Sequence, residues 1–307
     1  MGSEQSAQLA RIFAETGDRW RAPGLSLDVI RDIWECVYVV GEEPTDVTYE
    51  EVNAGGVPAL WCIPADSDRE CVLLFGHAGG TVLFSMNSDR KAAGHLAKAA
   101  GIRSLVVDFR RSPENKFPAQ EDDMEAAYRW LLSQGYRHEK IITGGHSIGG
   151  NLAVRLAVRL RDQAAPLPAA ILSISPMCDL ELRNETLKEK AETDKVLSVP
   201  LLELFRESWI GGTDVRYDDP RVSIVRADLH GLPPTNIYYG TDEVLVGEIL
   251  EFAEQARAAK VDVSVNSVPE GQHLFMLAAG RVPETDTAIS GMGQWMRSKL
   301  SLAPAAR

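Results

Sequence analysis

The chain has 307 residues, 45% of them hydrophobic and 25% charged, with a formal net charge of -12. That composition supports a large buried core, and the acidic balance repels phosphate backbones and anionic lipid, so neither nucleic acid nor a membrane is expected as a partner. Cys36, Cys62, Cys71 and Cys178 are scattered, with no CxxC pair and no histidine spaced as a zinc ligand, so they read as buried small hydrophobes in a reducing compartment and no metal is expected.

Residues 1–20 contain Glu4, Glu15 and Asp18 and no apolar run long enough for a secretory leader or a span, which points to a cytoplasmic location, and residues 4–40 are helical and amphipathic in pattern. Val47–Asn53 and Val57–Ile63 flank Ala54-Gly55-Gly56 and predict an antiparallel hairpin. Short β-rich runs then alternate with longer helical patterns. The strands are expected at Val72–Phe75, Ser104–Phe109, Lys140–Thr143, Ala170–Ser175, Thr235–Tyr239 and Val261–Val268. The helices are expected at Asp89–Ala100, Asp122–Gln134, Gly150–Gln163, Val246–Lys260 and Asp286–Leu300. Such alternation defines an α/β fold: a mostly parallel twisted sheet of about eight strands flanked by helices. Residues 181–215 interrupt it with a second amphipathic helical stretch. The expected organisation is a small N-terminal helical cap over 1–45 and a main domain over 46–307 that carries a helical cap insertion at 181–215. Trp34, Leu201, Phe205 and Trp209 from these stretches, with Leu274, are candidates for the wall of an apolar cavity.

The strongest local signal is Gly145-His146-Ser147-Ile148-Gly149, set between a strand pattern and a helix pattern. A serine on so tight a turn presents its hydroxyl, glycines two positions either side leave room for the turn, and the helix N-terminus behind it favours developing negative charge. Ser147 is therefore the candidate nucleophile, and the Ile148 amide a candidate oxyanion donor. His77-Ala78-Gly79-Gly80 follows another strand, and its bare glycine amides at 79 and 80 are the other candidate donors. A serine hydroxyl needs a neutral imidazole to take its proton and a carboxylate to orient that imidazole. His273, after the last strand, is the candidate base. Asp242 is the preferred acid because it comes first after the Tyr239-Gly240-Thr241 strand end, with the adjacent Glu243 as its rival. His146 is read simply as the variable position of the turn.

These motifs resemble the hormone-sensitive-lipase family of α/β hydrolases, its bacterial carboxylesterase and acetyl-esterase branch. His77-Ala78-Gly79-Gly80 resembles the family's HGGG loop, and Asp108 to Ala119 its DYRLAPEHPFPA segment. Asp219-Pro220-Arg221-Val222-Ser223 and Leu232-Pro233-Pro234 resemble its DPxVSP and GLPP stretches. The resemblance implies an α/β-hydrolase fold, a Ser147, Asp242 and His273 triad, and an oxyanion hole from the amides of Gly79, Gly80 and Ile148. It further implies no cofactor, and hydrolysis of short- to medium-chain carboxylic esters, with a small uncharged ester or lactone and water as partners. Lactone hydrolysis by the same residues is an alternative, a non-catalytic ligand-binding protein on the same fold a second, and a homodimer is possible by analogy. His146 and Ile148 depart from the family's GDSAGG pattern, and Ala78 replaces the first glycine of HGGG.

Overall fold

A computed structural model of the chain describes residues 2–20 and 22–303; the outer ends of the ranges assigned above, at 1 and 304–307, lie outside the described residues. Eight strands form one sheet in the order β1-β2-β4-β3-β5-β6-β7-β8. They are β1 (Val47–Ala54), β2 (Val57–Pro64), β3 (Asp68–Gly76), β4 (Ile102–Val107), β5 (Ile141–His146), β6 (Ala170–Ile174), β7 (Thr235–Gly240) and β8 (Val263–Val268). β2 runs antiparallel to β1 and β4, and every pairing from β4 through β8 is parallel. The hairpin, the alternation and the strand count follow the sequence pattern.

Among the described residues, nine α-helices surround the sheet: α1 (Glu4–Trp20), α2 (Leu27–Glu35), α3 (Met86–Ala100), α4 (Ala119–Ser133), α5 (Ile148–Asp162), α6 (Thr186–Glu189), α7 (Val199–Ile210), α8 (Val246–Ala258) and α9 (Pro283–Lys299). Side chains of the central strands alternate between two cores because successive residues of a strand face opposite ways. Val72 and Leu74 of β3 join the core under α4, α5 and α8, whereas Leu73 and Phe75 join the core under α3 and α9. With both faces covered, the central strands read as continuous apolar runs, as parallel strands do.

Parallel topology gathers the loops that leave the carboxyl ends of the strands along one edge. The loops after β3, β5 and β7 and the one after β8 therefore meet there, and α2 and α7 lie over the same edge. Cys62, Cys71 and Cys178 are buried as expected, but Cys36, at the end of α2, is exposed. None of the described helices is long and apolar enough to cross a membrane.

Candidate active site

β5 ends in a hard turn. Ser147 takes φ 57° and ψ -118°, and α5 starts at the next residue. A non-glycine residue in that region is strained, and such strain collects at functional sites. The turn survives because its neighbours are glycines. A Cβ on Gly149 would lie 2.0 Å from the Gly76 carbonyl oxygen, and one on Gly145 would lie 2.3 Å from the Gly149 backbone. Packing this close pins the turn against the end of β3, and the Ser147 amide donates to the Ile174 carbonyl of β6 at 2.8 Å.

Ser147 Oγ lies 2.8 Å from His273 Nε2, and His273 Nδ1 lies 2.6 Å from Glu243 Oε2. The acid facing the imidazole is thus Glu243, and the expectation of Asp242 is corrected. Asp242 is half-buried; among the described residues its carboxylate accepts from the Thr241 hydroxyl, at 3.4 Å, and its backbone carbonyl accepts from Thr193. The turn after β7 explains the choice. Glu243 folds back over the strand end, where its Oε1 accepts the Gly240 amide and the Ser175 hydroxyl, each at 2.8 Å. The extra methylene of glutamate spans the distance that is left to His273.

Ser147, His273 and Glu243 are nearly or completely buried. Burial disfavours charge on both members of the acid–base pair, pulling the His273 imidazole below its ordinary range and pushing the Glu243 carboxyl above its own. The Ser175 hydroxyl and the Gly240 amide oppose the second shift. Glu243 Oε1 already accepts two donors, so Oε2 is the oxygen left to accept from His273 Nδ1, an arrangement that turns the Nε2 lone pair to Ser147.

The loop after β3 carries the predicted glycine donors. Gly79 and Gly80 both have positive φ, as do Thr81 and Phe84. Dense bonding holds this strained loop in place. The Val82 and Leu83 amides donate to the Gly79 carbonyl, Thr81 Oγ1 lies 2.6 Å from Ser112 Oγ, and the Met86 amide donates to Asp108. Arg31 of α2 reaches across to the Val82 and Ser112 carbonyls and pairs with Glu114. In the segment 108–119, Arg110 pairs with Asp123 of α4 at 2.8 Å, so Asp108 and Arg110 have separate partners.

A narrow apolar cavity opens beside Ser147 and His273. Trp34, Leu201, Phe205 and Leu274 line it, together with Gly79, Leu83, Phe84, Val196 and Leu197. Trp209 does not line it. Its indole donates to Gln120 Oε1 at 2.9 Å and its ring packs edge-on to Phe117, so it belongs to the core. Phe205 closes one side so tightly that a Cβ on Gly80 would lie 2.2 Å from its ring.

The stretch before α7 straps the acid and base loops. Lys190 Nζ donates to the Thr241 carbonyl, and Asp194 accepts the amides of Val196, Leu197 and Val244. Gln272 accepts the Lys195 amide and donates to the Thr193 carbonyl. The sequence offers Glu243 as the rival acid but carries no signal that selects it as the partner of His273, and none for this strap. Among the described residues, no group of three or more His, Cys, Asp or Glu is placed to hold a metal ion.

A serine on a strained strand-to-helix turn, hydrogen-bonded to an imidazole that meets a buried carboxylate, defines a serine hydrolase site of the α/β-hydrolase type. The family model for the alpha/beta hydrolase fold matches residues 73–277. The chain is 35% identical over 259 residues to an acetyl-hydrolase of Streptomyces hygroscopicus, with 84% of each chain covered. It is 30% identical over 236 residues to an esterase of Acinetobacter venetianus, covering 77% of this chain and 78% of that one. A crystal structure of an esterase from the bacterial hormone-sensitive lipase family superimposes with a TM-score of 0.93 at 32% identity, over 98% of this chain and 99% of that one. The chain belongs to the hormone-sensitive-lipase family of α/β hydrolases.

Proposed function

We propose that this carboxylic ester hydrolase cleaves short- to medium-chain carboxylic esters through an acyl-enzyme on Ser147, with His273 as general base and Glu243 as the orienting acid. The observation that carries the reading is the continuous contact from Ser147 Oγ to His273 Nε2 at 2.8 Å and from His273 Nδ1 to Glu243 at 2.6 Å. His273 takes the hydroxyl proton as Oγ attacks the ester carbonyl, and Glu243 supports the imidazolium that forms. The amides of Gly79, Gly80 and Ile148 serve as donors to the tetrahedral oxyanion: Gly79 borders the cavity beside Ser147, and Ile148 is the first residue of α5, where amides have no intrahelical acceptor. His273 then protonates the departing alcohol, and water attacks the acyl-enzyme by the same route.

The lining of the cavity, which contains no Asp, Glu, Lys or Arg, supports an uncharged acyl group. Positions 1–45 and 181–215 act as the cap: Trp34 from α2 and Leu201 and Phe205 from α7 supply one wall. Ser147→Ala should abolish turnover of p-nitrophenyl butyrate and labelling by a fluorophosphonate. Wild-type turnover in that variant would overturn the assignment.

A further inference from the structure

A second fully buried acid–base pair lies behind the first. Asp89 of α3 and His146, the residue before the nucleophile, are both completely shielded from solvent, with Asp89 Oδ1 3.3 Å from His146 Nδ1. Asp89 Oδ2 accepts the Ala78 amide at 2.9 Å, immediately before the two glycines of the loop after β3. His146 Nε2 lies 3.0 Å from the His273 backbone carbonyl. A carbonyl only accepts, so Nε2 must carry a hydrogen. Nδ1 then faces a carboxylate oxygen, and that contact is a hydrogen bond only if the pair holds one more proton, as imidazolium and carboxylate do. The shift of His146 has the same direction: burial lowers it, but the hydrogen bond and charge of Asp89, with the His273 carbonyl and the charge of Glu243, together raise it.

We propose that Asp89 and His146 are positioning residues, a buried pair that ties the oxyanion loop at Ala78 to the backbone of the base His273 and so sets the distance between donor amides and imidazole. One chain of contacts runs from the loop after β3, through α3 and the end of β5, to the loop after β8. A family member with Asp in place of His146 could not donate to the His273 carbonyl. The charged groups facing His146 are Asp89 from α3 and Glu243 from the loop after β7; the His273 ring stands 6.0 Å away, centroid to centroid. A positive His146 also disfavours protonation of His273.

The inference rests on Ser147 being the nucleophile, so rates are taken per site titrated with a fluorophosphonate; failure to label the wild type would sink that reading and not this one. Asp89→Ala should lower kcat on p-nitrophenyl butyrate by about tenfold to 100-fold, the scale of a small misplacement of catalytic groups, with KM within about threefold. Asp89→Asn can accept the Ala78 amide and donate to a neutral His146. It should restore kcat to within about threefold of wild type and move the acid limb of kcat/KM to higher pH, because His146 no longer repels a proton from His273. Should Asp89→Ala not fold, the pH limb of Asp89→Asn decides alone. An unchanged kcat per titrated site in Asp89→Ala, or an acid limb that stays fixed in Asp89→Asn, overturns the proposal.

Discussion

Asp242 and Glu243 are neighbours in the chain, yet only one of them reaches His273. The sequence placed an acidic pair just beyond β7, and parallel topology required that loop to open at the site edge. Which carboxylate turned inward depended on the backbone of a four-residue turn, which carries no periodic signal. Glu243→Ala should therefore lower kcat by about 1,000-fold to 10,000-fold, the cost of losing the orienting acid of a triad. Asp242→Ala should change it by no more than about threefold. Steady-state kinetics on one ester separates the two, and the reverse order of effects would restore Asp242. Ser147 and His273 were legible because a glycine-bounded turn and a strand-end histidine are local patterns. His146 was not: its partner Asp89 is 57 positions away, and only the packing of α3 against the end of β5 joins them.

At the scale of elements, the strands were legible because buried parallel strands are unbroken apolar runs, and the helices because they keep one apolar face. α7 shows where that reading stops. Leu201, Phe205 and Trp209 recur every four residues and so share one face, but that face crosses from the cavity into the core along its length, and Trp209 has already passed the boundary. Phe205 is the residue on that face that limits the cavity next to Gly80. Phe205→Ala should raise kcat/KM on p-nitrophenyl octanoate relative to the butyrate by about tenfold, the discrimination that a few methylenes give in an apolar pocket. An unchanged ratio would place the acyl chain elsewhere.

The whole molecule carries buried carboxyls that tie its stability to pH. Glu248 of α8 is completely buried and accepts the Cys178 amide at 2.6 Å; burial drives its carboxyl far above the ordinary range, and the charge of Asp179 adds to that. The folded state keeps the proton that the unfolded chain releases above about pH 4.3, so stability falls as pH rises above that value. Glu248→Gln carries no such proton. Its stability relative to wild type in urea unfolding should grow between pH 5 and pH 8, and a difference independent of pH would mean that the carboxyl is ionised when folded. The strap at Lys190 to Leu197 extends the same interdependence to chemistry. One run of backbone both borders the pocket, through Val196 and Leu197, and anchors the turns that carry Glu243 and His273. Selectivity and proton transfer are therefore not separate traits in this enzyme: remodelling that run to admit a different acyl group also re-aims the machinery that must cleave it.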